Sequence, residues 1–288
     1  MTNTSTHPPI NPSNPFTRRL RSLGLLVLFI AIHLALLAGA AAIMPASGMV
    51  LATLSVLLAA VIAGSFLLVV GERRPWHELG LAVGRRTPRD VGVGIAIPVA
   101  ALLLVVGFLA LTRGVLYGRD SGTFGGWLAG NAQLLLLLAI PAAAEEALFR
   151  GYPFQKLVEA VGPVVATLLA SAGFAFAHRH NPGVGTFALI NIFVAGVMLS
   201  VAFLKTRSLW FATAVHLGWN WQMAGPLDLP VSGLELFDAP LYEPVRLGTP
   251  WITGGSFGPE GGVAGLLALL LVTVAVWFYT RQKVSEHD

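Results

Sequence analysis

Long apolar runs alternate along the chain with short polar segments that carry arginine, at about 23–44, 49–71, 91–112, 127–158, 161–178, 184–204, 208–224 and 261–280. A run of about 20 residues, rising about 1.5 Å per residue as an α-helix, crosses the ~30 Å hydrocarbon core of a bilayer. The pattern predicts an all-α protein, a polytopic membrane helix bundle with about eight transmembrane helices. It divides the chain into a disordered cytoplasmic tail over 1–22, its first 17 residues a mixture of Pro, Asn, Ser and Thr, and a single transmembrane domain over 23–288. The run after Arg18, Arg19 and Arg21 exceeds the 7–15 apolar residues of a secretory signal, so a membrane-retained first helix is expected.

Composition agrees with this pattern. Only 11% of the 288 residues are charged, against roughly 25% in an average soluble domain. There is no cysteine, which rules out disulfides, thiolate metal sites and Cys nucleophiles together. The formal charge of +4 is not a nucleic-acid signal, because the basic residues sit between apolar runs, where topology explains them. Eight spans put both termini on one side, and that side carries 14 of the 18 Lys and Arg residues. The positive-inside rule then predicts cytoplasmic termini. The bias of Arg over Lys, with abundant Ala, Leu, Gly and Val, is the usage of a GC-rich bacterial genome, and a bacterial plasma membrane is the expected location. The Gly- and Pro-rich segment 225–260 is an extracytoplasmic loop, long enough to be read either as a lid over a cavity or as a plain connection.

The informative stretch lies within the fourth run, where Glu145 and Glu146 adjoin and Arg150 follows. A charged side chain at the bilayer centre costs roughly 2.5–3.5 kcal/mol on insertion scales, so intramembrane ionisable residues are functional candidates by default. Glu146 and Arg150 are spaced i, i+4 in the favourable order for a structural ion pair. Glu145, rotated ~100° away, is left as a free carboxylate available as a general base. Later helices add His178, and then His216 and Asn220 on one helical face. His33 and Asn191 read as packing residues. A free Glu, two His and an Asn on three helices form a catalytic set for adding water to a peptide carbonyl. Glu145 would take the proton, His178 would help orient the water, and His216 with Asn220 would donate hydrogen bonds to the developing oxyanion.

The same Glu145, His178 and His216 also make a His₂Glu ligand set, so the cofactor is either none or one zinc ion. With no carboxylate partner for either His evident in the sequence, the metal-free form is the expectation. A proton-coupled transporter and a non-catalytic immunity or scaffold protein are the rival classes. The transporter reading lacks the internal repeat such proteins often show.

In E-E-x-x-x-R at Glu145, Glu146 and Arg150, F-x-x-x-H at Phe174 and His178, and H-x-x-x-N at His216 and Asn220, the chain resembles the CPBP intramembrane peptidases. These comprise the CAAX prenyl endopeptidases and related bacteriocin-processing and immunity proteins. Thr206, Arg207, Ser208, Leu209 and Trp210, leading into the last motif, also look like the family's. The resemblance implies a peptidase-like core at about 127–224 with a water-open cavity, and Glu145, His178, His216 and Asn220 as catalytic positions. It implies membrane-associated protein or peptide substrates without requiring that they be prenylated. One feature sits awkwardly: His178 falls at the outer end of its run, whereas Glu145 and His216 fall nearer mid-depth.

Overall fold

The computed structural model describes residues 14–44 and 48–284. It is an all-α polytopic bundle. Six stretches of helix among the described residues are long and apolar enough to cross a membrane: Pro15–Ile43, Met49–Gly71, Thr87–Leu111, Phe124–Val161, Thr186–Thr206 and Val263–Arg281. We number the helices in chain order as α1 (Pro15–Ile43), α2 (Met49–Phe66), α3 (Thr87–Leu111), α4 (Phe124–Phe149), α5 (Tyr152–Val161), α6 (Pro163–Ala177), α7 (Thr186–Thr206), α8 (Leu209–Ala224), α9 (Pro250–Thr253) and α10 (Val263–Val284). Strands β1 (Val115–Arg119) and β2 (Tyr242–Arg246) form one antiparallel pair, with Tyr117 opposite Pro244.

Three boundaries depart from the hydropathy reading. α1 begins at Pro15, where Pro at the first turn and the Asn14 side chain, accepting from Phe16 N, start a helix before the apolar run does. The expected tail is therefore helical over 15–22, and residues 1–13 lie outside the described part. The run at 127–158 is two helices. α4 ends at Arg150, and Gly151 turns the chain where a Cβ would lie 2.2 Å from Ala147 O. Finally, α6 and α8 have only 15 and 16 residues, about 23 Å of helix, so they are shorter than a full span. A short α6 removes the awkward placement of His178, since its C-terminal end need not reach the far surface.

α8 is polar for a membrane helix because other helices surround it. Most of its residues are buried, among them His216, Trp219 and Gln222. It packs against α3 at glycines: a Cβ on Gly94 would meet Ala214 Cβ at 2.7 Å, and one on Gly218 would meet Ile95 O at 2.6 Å. α6 lies as close to α7, where a Cβ on Gly196 would come within 2.9 Å of Ser171 Cα. Small residues at such crossings let backbones approach, which is the main route to helix association where lipid is as apolar as the side chains.

At one end of the bundle Lys156 is buried against Glu72 (2.7 Å) and Glu159 (2.6 Å), Tyr152 donates to Glu72, and Ser22 donates to Glu159. The start of α1, the end of α2 and α5 thus share one face, as the alternating topology requires. At the other end the segment 225–262 folds back onto the helices. Tyr117 and Tyr242 donate to Leu227 O and Pro226 O, Trp127 donates to Tyr242, and Asn181 donates to Ser232 O.

Candidate active site

The C-terminal turn of α4 presents its two glutamates in different directions. Glu146 is fully buried and its Oε1 accepts from Arg150 at 3.0 Å. Arg150 in turn donates to Gly196 O at 2.9 Å and lies over the Phe174 ring, with Cζ 4.7 Å from the centroid. One guanidinium thereby ties α4 to α6 and α7. Glu146 Oε1 is also 2.9 Å from His216 Nδ1, so the residue read as a purely structural partner holds a candidate site residue as well.

Glu145 faces a cavity of about 420 Å³ that His178, His216 and Asn220 also line. Its Oε2 is buried, has no hydrogen-bond partner among the described residues, and lies 4.0 Å from His178 Nε2 and 3.8 Å from His216 Nε2. The structure thus brings together, around one cavity, the four positions singled out in the sequence. Apolar walls from Leu138, Ile192, Met198 and Leu199 complete it.

Both imidazoles are oriented from behind. His178 Nδ1 is 2.8 Å from Phe174 O and His216 Nδ1 is 2.9 Å from the Glu146 carboxylate. Neither partner can donate, so each Nδ1 carries the proton, and in a neutral ring each Nε2 presents a lone pair to the cavity. A carboxylate partner that was not evident in the sequence thus stands behind His216, while His178 has a backbone carbonyl. A carboxylate behind one imidazole and a carbonyl behind the other are the usual supports of metal-binding histidines. The donor chemistry therefore suits zinc held by Glu145, His178 and His216. Their present separations of 3.8 and 4.0 Å exceed the ~3.4 Å edge of a tetrahedral zinc site with ~2.1 Å bonds.

Two residues of this cavity escaped the sequence reading. Glu260, just before α10, is buried, accepting from Trp219 Nε1 at 2.9 Å and from Ser232 N and Oγ at 2.6 and 2.8 Å. Ser232 occupies the left-handed region in a tight turn in which Val231 and Leu234 exchange backbone hydrogen bonds. The long loop therefore forms part of the cavity wall. Asn191, read as a packing residue, donates to Glu260 O and Gly262 O and fixes this wall to α7.

A helical membrane bundle with two histidines converging on a free carboxylate has the architecture of an intramembrane hydrolase. Residues 126–222, about a third of the chain, match the family model described as type II CAAX prenyl endopeptidase Rce1-like, and over this segment the chain is CAAX protease-like. The matched segment runs from α4 through α8 and holds all four candidate positions, while Ser232 and Glu260 lie beyond it. No curated protein matches the chain.

Proposed function

We propose that the protein hydrolyses peptide bonds of membrane-associated proteins or peptides in this cavity, with Glu145 as general base. The observation that carries the reading is the buried, unpaired Glu145 Oε2 facing two Nε2 atoms at 3.8 and 4.0 Å. That spacing is too long for direct hydrogen bonds and suits one water molecule between the three groups.

Glu145 takes a proton from the water as its oxygen adds to the scissile carbonyl, and His178 Nε2 accepts the water's second hydrogen bond. The developing oxyanion requires donors. Asn220 supplies an amide N–H in any protonation state, whereas His216, its Nδ1 proton committed to Glu146, donates from Nε2 only as the imidazolium. The proton held by Glu145 then passes to the leaving amine. A zinc ion at Glu145, His178 and His216, if bound, would supply Lewis-acid polarisation of water or carbonyl.

The test is cleavage of peptide libraries by purified protein, comparing wild type with Glu145→Gln before and after exhaustive chelation, with elemental analysis of the same samples. Cleavage that survives chelation and is lost in Glu145→Gln is the expected result. Stoichiometric zinc, with activity lost on its removal and restored on its return, would replace the metal-free route with zinc held by the three named residues. Equal cleavage by Glu145→Gln would remove Glu145 from the chemistry.

A further inference from the structure

The cavity that holds Glu145 contains a second carboxylate for which the hydrolytic reading has no use. Glu260 comes from the loop before α10, outside the segment that carries the peptidase motifs. Its three hydrogen-bond donors, Trp219 Nε1, Ser232 N and Ser232 Oγ, are all neutral. Among the described residues no Lys or Arg pairs with it, and none lines the cavity. Arg150, which does not line the cavity, is committed to Glu146 and Gly196 O. Apart from Glu145, the two imidazoles and a few amide and hydroxyl groups, the lining is apolar. A charge facing such a space is weakly screened, so its sign sorts what enters.

We propose that Glu260 is a specificity-determining residue that makes the cavity cation-selective, so that the preferred substrate is an apolar peptide segment with a Lys or Arg close to the scissile bond. Apolar sequence followed by basic residues is what the end of a membrane-spanning helix offers at the interface. Glu260 is also the anchor of the Val231–Leu234 turn, so its charge is held at a fixed place in the wall rather than on a free side chain.

Only the cleavage arm of the test rests on the peptidase reading. Two labelled peptides with blocked termini, identical except for Lys or Glu next to an apolar stretch, are titrated onto the Glu145→Gln protein. The protein sits in bilayer discs of phosphatidylcholine, so that lipid charge does not sort the peptides. Glu260 is then the sole carboxylate lining the cavity among the described residues, and the Lys peptide is expected to bind about tenfold or more tightly. Adding Glu260→Gln should bring the two affinities within about threefold. Ser232→Ala, which removes one donor and keeps the charge, should leave the preference in place. Equal binding of the two peptides by Glu145→Gln alone overturns the proposal even if the Glu260→Gln protein fails to fold, and so does a preference that survives Glu260→Gln. Cleavage of the same peptides by wild type is read separately. Selective binding without cleavage retains the cation-selective cavity and removes the peptidase reading, whereas cleavage without selectivity does the reverse.

Discussion

The adjacent glutamates show how one helical turn assigns opposite duties. Glu146 and Arg150 are both fully buried and 3.0 Å apart, so removing either partner strands a charge in a medium that solvates it poorly. Breaking such a pair in soluble proteins costs about 3–5 kcal/mol. Glu146→Gln and Arg150→Ala are therefore expected to lower the melting temperature clearly, and Glu146→Gln should also slow cleavage by releasing His216 Nδ1. Glu145→Gln should abolish cleavage and leave the melting temperature unchanged, because its inward oxygen has no protein partner to lose. Thermal unfolding and peptide turnover of the three variants decide this. Equal destabilisation of all three, with residual cleavage in Glu145→Gln, would show the roles reversed. The Glu146–Arg150 pair was legible because both partners lie on one helix at a fixed spacing. Glu260 was not, because Ser232 and Trp219 stand 28 and 41 positions away and only the folded loop brings them together.

Hydropathy located the helices but not their ends, which are set by backbone events that apolar content does not record. The break at Gly151 falls inside an otherwise apolar run, and the short α6 is recognisable only once α7 is seen packed on it through Gly196. That crossing is tight enough to test. Gly196→Ala puts a methyl group 2.9 Å from Ser171 Cα and must push α6, with His178 at its end, away from α7. A loss of roughly 1–3 kcal/mol is expected from overpacking, together with slower cleavage. Gly107→Ala, with open space where its Cβ would go, serves as the control and should be neutral or mildly stabilising. Similar behaviour of the two variants in thermal unfolding would remove the crossing as a determinant of the site. The outer loop has its own titration. Burial, with Asp238, Glu243 and Glu235 nearby, pushes the Asp228 carboxyl up to about 6. A raised carboxyl means that the folded loop binds more protons than the unfolded one, so stability falls as pH rises from about 4 to about 6 and is level above that. Asp228 has a left-handed backbone, which Asn also tolerates. Asp228→Asn should accordingly slow loop hydrogen exchange at pH 7–8 and change little at pH 4. Equal effects at both pH values would mean that the charge is not the cause.

For the molecule as a whole, the alternation of apolar runs and basic segments was enough to give a polytopic bundle. It could not give the number of full-length spans, because α6 and α8 are enclosed by other helices and escape the length that a lipid-facing helix needs. The contacts also sort the connections into two sets. Glu72, Lys156 and Glu159 meet at one end, while β1, β2 and the 225–262 segment meet at the other. We propose that the first end, which carries most of the Arg and Lys residues, faces the cytoplasm, and that the loop closing the cavity lies outside. The absence of native cysteine makes the orientation directly measurable, since any engineered thiol is the sole one in the chain. Glu243→Cys, exposed on β2, should react with a membrane-impermeant maleimide added to intact cells, and Arg85→Cys, exposed between α2 and α3, should react only after the cells are opened. The opposite labelling pattern would invert the bundle and place the cavity-closing loop, with Glu260 behind it, on the cytoplasmic side, where the peptide substrates of the enzyme would then have to be sought.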